Sequence, residues 1–251
     1  MKRFSVLVWI GLIVNILLLV SIWYFTSSFN EITGELTYPE RDLVNILSFM
    51  VIPFCISIIM QIISLPVLFK MPKLGLTLAI IGSIVMLPLS LIFMTGYFYS
   101  YETYRNKNFA IFDKQPTDIS LNFKSSQLTM LGIVYIVLGL FIGFIGLSMG
   151  WLFAGVGLVA LCNSFRLKDR IMVGIVKDQL IITPSLYADT YMIPLNDVSL
   201  IKESKSLFKL HIKSAGVDRK CTFRKGMIEG RHYQVALADI LSKLATKQNK
   251  Q

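Results

Sequence analysis

"LGIVYIVLGLFIGFIGLSMGWLFAGVGLVALCNSF", residues 131–165, runs for thirty-five positions without a charged side chain. One straight helix over 128–164 would extend about 55 Å at 1.5 Å per residue, well past the roughly 30 Å of a bilayer's hydrocarbon even when tilted. Two helices must share the stretch. The turn is expected at "GLSMG", Gly146 to Gly150, whose small residues suit a tight reversal, with Trp151 placed for the interface just after it. Gly132, Gly139, Gly143, Gly146 and Gly150 form the helix-packing set. Gly139/Gly143 and Gly146/Gly150 have the small-xxx-small spacing that lets helix backbones approach closely in lipid. A hairpin packed on itself is the plain reading of that spacing, and a homodimer face is the sharper one.

Outward from the hairpin, the composition repeats the message. Hydrophobic residues make up 54% of the chain, charged residues 16%, and the mean hydropathy is +0.63, more apolar surface than one soluble core can hide. Further runs long enough to cross occupy about 5–25, 44–69 and 74–98. The first opens on Lys2 and Arg3 but is too long for a cleaved leader and lacks a small-residue cleavage pattern, so it reads as an uncleaved signal anchor. Pro53, Pro66 and Pro88 punctuate the second and third runs, as prolines do in membrane helices. No Asp, Glu, Lys, Arg or His falls within a span. The polar residues there are Asn15, Asn45, Gln61, Asn163 and hydroxyls, which argues against an ion pump, since proton and ion relays place ionisable groups at membrane depth. The cysteines, Cys55, Cys162 and Cys221, are scattered and offer neither a disulfide framework nor a metal-ligand spacing.

At "NSFRLKDR" the chain turns basic: from 166 to 251 there are 16 Lys and Arg against 8 Asp and Glu, a net +8 of the chain's +10. "IMVGIV", "QLIIT" and "TYMIPL" are short β-branched or aromatic runs. "LFKLHIK" alternates Phe208, Leu210 and Ile212 with Lys209, His211 and Lys213, and "RKCTFRK" repeats the alternation with Cys221 and Phe223 inward. These predict an antiparallel sheet of five to seven strands. Tyr233, Leu237, Ile240, Leu241 and Leu244 then share one face of a helix over about 229–247. The expected architecture is a membrane α-helical bundle of about five transmembrane helices plus a C-terminal α+β domain, an antiparallel curved sheet capped by one helix. Its parts are three helices over 1–98, a polar connecting segment over 99–127, the hairpin over 128–164, the sheet domain over 166–247 and a tail at 248–251.

A lead-in "FKSSQ", a transmembrane hairpin, a basic exit and "IVKDQLIIT" before a closing helix resemble the bacterial membrane proteins that carry a pleckstrin-homology-like (PH-like) domain after two helices. "IPLNDVSLI", residues 193–201, is similar to that family's recurring "IPW-D-I--I" strand, with Leu195 where an aromatic is usual. The resemblance covers about 120–247. It implies a docking module beside the cytoplasmic (inner) membrane of a bacterium.

For orientation, five spans with a cytoplasmic N-terminus leave Lys2, Arg3, Lys70 and Lys73 inside. The opposite orientation places nine cations inside: Arg41, Arg105, Lys107, Lys114, Lys124, Arg166, Lys168, Arg170 and Lys177. Lys and Arg bias sets topology, so a cytoplasmic C-terminal domain is expected. An interfacial rather than crossing 150–164 would reconcile both ends. Anionic lipid headgroups or a protein partner are the expected contacts of the basic domain; nucleic acid is not expected, because the aromatics Phe208 and Phe223 face inward. The candidate surface residues are Arg166, Lys168, Arg170, Lys209, Lys213, Arg224 and Lys225. His211, His232, Asp189 and Asp197 form no catalytic or metal motif, so neither an enzyme nor a cofactor is expected. A membrane-embedded protein protecting against a toxin, or an accessory subunit of a membrane complex, are the alternatives.

Overall fold

The computed structural model describes residues 4–30, 38–113, 115–147, 149–230 and 233–248; Lys2, Arg3, Lys114 and His232 lie outside the described residues. The contacts divide the chain into two units, Met1–Tyr101 and Glu102–Gln251.

The first unit is built from α1 (Val6–Asn30), α2 (Tyr38–Lys70), α3 (Pro72–Ile84) and the start of α4 (Leu91–Arg105). α1 and α2 contain apolar spans of 24 and 30 residues, and their outer faces expose large apolar side chains such as Leu17, Trp23, Phe49 and Ile52, as lipid-facing helices do. Pro53 and Pro66 sit inside α2 without ending it.

The expected crossing over 74–98 is not one helix. α3 has 13 residues and α4 has 15, about 20 Å each at 1.5 Å per residue, and turns at 85–90 separate them. Pro88 within those turns has no amide to donate, which favours a break there. Among the described residues, four helices rather than five are long and apolar enough to cross a membrane.

Helix directions in this unit follow from its contacts. α1 and α2 are antiparallel, with Phe4 beside Phe69 (ring centroids 5.3 Å apart) and Asn15 Nδ2 donating to Gln61 Oε1 at 2.8 Å. α3 doubles back along α2. Gly75 lies against Leu68, and Gly82 presents its carbonyl to Ser57 Oγ and to Gln61 Nε2, the latter at 3.0 Å. α4 then retraces α3: Phe93 packs on Gly11, Tyr97 Oη donates to the Ser64 carbonyl at 2.8 Å, and Ser100 Oγ accepts the Ser5 amide at 3.0 Å.

The second unit joins a membrane hairpin to a sheet domain. α5 (Ser125–Phe144) and α6 (Met149–Leu167) are the hairpin, with a turn at Ile145 and Gly146 as the glycines suggest. Gly132, Gly139, Gly150 and Gly157 form the seam. A Cβ on Gly157 would come within 2.7 Å of the Gly132 carbonyl, and one on Gly139 within 2.6 Å of the Gly150 carbonyl, so only hydrogen fits. Gly143 lends its backbone to the approach of Gly150. Gly146 corrects the packing expectation: at φ +86° with open space around it, it serves the turn rather than the seam.

One sheet has the order β1 (Ala110–Ile111), β5 (Tyr191–Pro194), β4 (Gln179–Ile182), β3 (Ile171–Val176), β2 (Ile119–Asn122); a second has β6 (Val198–Glu203), β7 (Leu207–Ser214), β8 (Val217–Arg224). All the pairings are antiparallel. The segment 99–127, expected as a polar connection, supplies β1 and β2. β2 pairs directly with β3, and the Phe123 amide donates to the Arg170 carbonyl at 3.0 Å. The membrane hairpin is thus an insertion between two neighbouring strands, its two ends held at ladder spacing. Inside, Phe208, Leu210 and Ile212 of β7 meet Cys221 and Phe223 of β8 and Leu237, Ile240, Leu241 and Leu244 of α7 (Tyr233–Gln248) in one core.

Candidate functional site

β7 and β8 alternate strictly, and the alternation decides which cations are available. With Phe208, Leu210 and Ile212 buried, Lys209, His211 and Lys213 project to the other face; with Cys221 and Phe223 buried, Lys220, Thr222 and Arg224 do the same. The register sets Lys209 opposite Thr222, His211 opposite Lys220 and Lys213 opposite Asp218. A bulge at Leu200/Lys202 brings Lys202 opposite Lys209.

Acidic compensation on this face is local. His211 Nε2 lies 2.7 Å from Asp218 Oδ1, and that hydrogen bond holds the Asp218 carboxyl below the usual aspartate range. Lys225, half-buried, pairs with Glu203 at 2.7 Å. Lys202, Lys209, Lys220 and Arg224 make no ion pair among the described residues. Like charges directly opposite on a sheet repel, and the Lys202–Lys209 pair stands in that arrangement.

Of the cations expected at the surface, Arg166 and Arg170 are turned to structure. Both reach Asp189 Oδ1, at 3.0 and 3.6 Å, and Arg170 also donates to the Ala188 carbonyl at 3.3 Å. They fasten the exit of α6 to the β4–β5 connection. Lys168 stays exposed, beside a groove with Ser126, Thr129, Met130 and Phe165. Lys213 and Arg224 are exposed and Lys209 is half-buried on the basic face. Lys202 and Lys220 are the members that sequence reasoning missed. Period-two counting back from Arg224 finds Lys220, whereas the bulge hides Lys202.

A groove of about 480 Å³ ties this face to the membrane hairpin. Gln127, Leu128 and Leu131 from the first turns of α5 line it together with Thr222, Phe223 and Arg224 from the end of β8. Arg224 therefore shares a groove with residues by which α5 enters its apolar span, Ser125–Phe144.

The carboxylates do not converge. Asp189 is taken by the two arginines, while Asp197 accepts the Ser214 hydroxyl. Arg219 was also missed: it points inward, 6% exposed, and donates to Glu102 Oε2 at 2.7 Å and Oε1 at 3.2 Å and to Asn106 Oδ1 at 2.9 Å. Burial pushes the Cys221 thiol up from its ordinary value, and burial reinforced by the charge of Asp189 pushes Tyr191 up to about 12. No group of three or more His, Cys, Asp or Glu able to hold a metal occurs among the described residues.

Compared with protein-family models, with curated proteins and with solved structures, the chain finds no match.

Proposed function

We propose that the chain is a non-catalytic bacterial inner-membrane protein whose second unit, a PH-like module, holds its basic β6–β8 face against anionic phospholipid headgroups. The single observation that carries this reading is the shared groove, which Arg224 and Thr222 of the basic face line together with Leu128 and Leu131 of α5. A cation beside the first turns of a membrane helix lies at headgroup level. Each suitably placed Lys or Arg there contributes up to about 1 kcal/mol toward an anionic leaflet, so Lys202, Lys209, Lys220 and Arg224 acting together amount to a few kcal/mol, weakened by salt. The order of an antiparallel sheet, a second antiparallel sheet and a closing helix supports the PH-like reading.

The test uses the full chain in nanodiscs, with a fluorophore on Thr222→Cys in a background lacking the other accessible thiols. Headgroup-spin-labelled phosphatidylglycerol is expected to quench the fluorophore severalfold more than spin-labelled phosphatidylcholine. Reversal of Lys202, Lys209, Lys220 and Arg224 to Glu is expected to abolish the difference. Equal quenching by both lipids refutes the reading and leaves the face to a protein partner.

A further inference from the structure

We infer that α3, the turns at 85–90 and α4 form a re-entrant helical hairpin: the chain enters the bilayer at Pro72, reverses near its middle and leaves by the same face at Arg105. Three sets of observations within the first unit converge on this.

The first is depth. Asn15 lies nine residues into α1 and Gln61 nine residues before the end of α2, each about 14 Å along its helix, roughly half of a 30 Å hydrocarbon layer. Gly82, near the end of α3, meets Gln61 at that level. From there α4 heads back, passing Gly11, then Ser64, then Ser5. Its far end stands beside the start of α1 and not beside its end.

The second is the chemistry of the tip. Ile84, Val85, Leu87 and Leu89 are all exposed. A loop emerging into water or headgroups is expected to be polar, whereas these residues suit hydrocarbon. The third is that the tip's polar groups are satisfied from within, as irregular backbone at membrane depth requires. Ser90 Oγ donates to the Ser83 carbonyl at 2.5 Å, Ser83 Oγ to the Ala79 carbonyl at 2.7 Å, and Gln61 and Ser57 serve the Gly82 carbonyl.

The consequence is a different crossing count. With α1, α2, α5 and α6 crossing and α3–α4 returning, the chain crosses four times. Lys2, Arg3, Lys70 and Lys73 then join the other flanking cations on one face, and only Arg41 changes sides, giving twelve cations against one in place of nine against four. That face is the cytoplasmic one by the Lys and Arg bias. The conflict between the two ends resolves at α3–α4 and not at 150–164, since α6 packs along α5 over its length. This sidedness holds whether or not the basic face binds lipid.

The test is labelling of introduced cysteines by a membrane-impermeant maleimide, in intact cells and in inside-out vesicles, with Cys55→Ala and Cys162→Ala as background and the parent carrying only the buried Cys221 as the blank. Lys73→Cys and Lys107→Cys, both exposed positions, are expected to label only in inside-out vesicles, and Tyr38→Cys only in intact cells. Leu87→Cys is expected to label from neither face. Labelling of positions 73 and 107 from opposite faces overturns the inference, as does labelling of position 87 from the face of Tyr38.

Discussion

Replacing Arg219 by Met leaves the Glu102 carboxylate buried without its cation. In the intact domain Arg219 gives that carboxylate two hydrogen bonds, at 2.7 and 3.2 Å, and a third to Asn106 at 2.9 Å, while the Glu102 side chain is 11% exposed. Breaking a buried pair by removing one partner costs about 3–5 kcal/mol, which at 1.4 kcal/mol per decade is roughly a hundred- to several-thousand-fold in the opening equilibrium. Cys221 reports that opening directly. It is 2% exposed, two residues along β8 from Arg219, and its thiol pKa is raised by burial, so it reacts with a maleimide only when the strand comes away. In detergent, with Cys55→Ala and Cys162→Ala, R219M is expected to speed labelling of Cys221 by about two to three and a half orders of magnitude. Adding Glu102→Gln, which removes the stranded charge and can still bond Asn106, is expected to recover a large part of the loss. A labelling rate within tenfold of the parent, or a double variant no slower than R219M, refutes the assignment of the pair as the lock on β8.

Gly157→Ile places a branched side chain against the Gly132 carbonyl and the Ile136 amide, each within 2.7 Å of where its Cβ must lie; the α5–α6 hairpin is expected to splay, read as lost crosslinking between cysteines placed at 129 and 164, whose hydroxyls lie 2.6 Å apart across it. Gln61→Leu removes the acceptor of Asn15 Nδ2 and a donor to the Gly82 carbonyl. At about 0.6–1.7 kcal/mol per membrane hydrogen bond, its thermal midpoint in detergent is expected to fall, whereas Asn45→Leu, outside that network, is expected to leave it nearly unchanged. The Asp218 pKa is lowered by His211, so the stabilisation it brings is fully present above the ordinary aspartate value of 3.8 and is lost as pH falls through the lowered folded value. D218N removes that contribution, so it is expected to lower the thermal midpoint above that value, neutral pH included, and to flatten the acid limb below it.

Much of this architecture is legible in the residues because it depends on local periodicity. An apolar run too long for one helix and broken at "GLSMG" had to be a hairpin, and the alternation in "LFKLHIK" fixed the inward set Phe208, Leu210 and Ile212. What escaped depends on contacts between distant segments. Hydropathy over 74–98 is the same whether the chain crosses or doubles back, and contacts such as those of Gly82 with Gln61 and Ser100 with Ser5 distinguish the two. β1 and β2 are two and four residues long, too short to carry a period, and they become strands only through pairing with β5 and β3. Arg219 was passed over, although strand parity with Cys221 and Phe223 pointed it inward. Arg166 and Arg170 looked free because Asp189, nineteen or more residues away in sequence, supplies their partner only in the fold.

The central claim is that the basic sheet face rests on the cytoplasmic leaflet, on the side where the chain also starts. The most direct measurement is the sidedness of both ends in living cells: a reporter that fluoresces only in the cytoplasm and a phosphatase active only outside it, each fused in turn before residue 1 and after residue 251. Fluorescence without phosphatase activity at both ends is the result predicted; phosphatase activity at residue 251 would contradict it, placing the basic face outside and removing the cytoplasmic leaflet as its ligand.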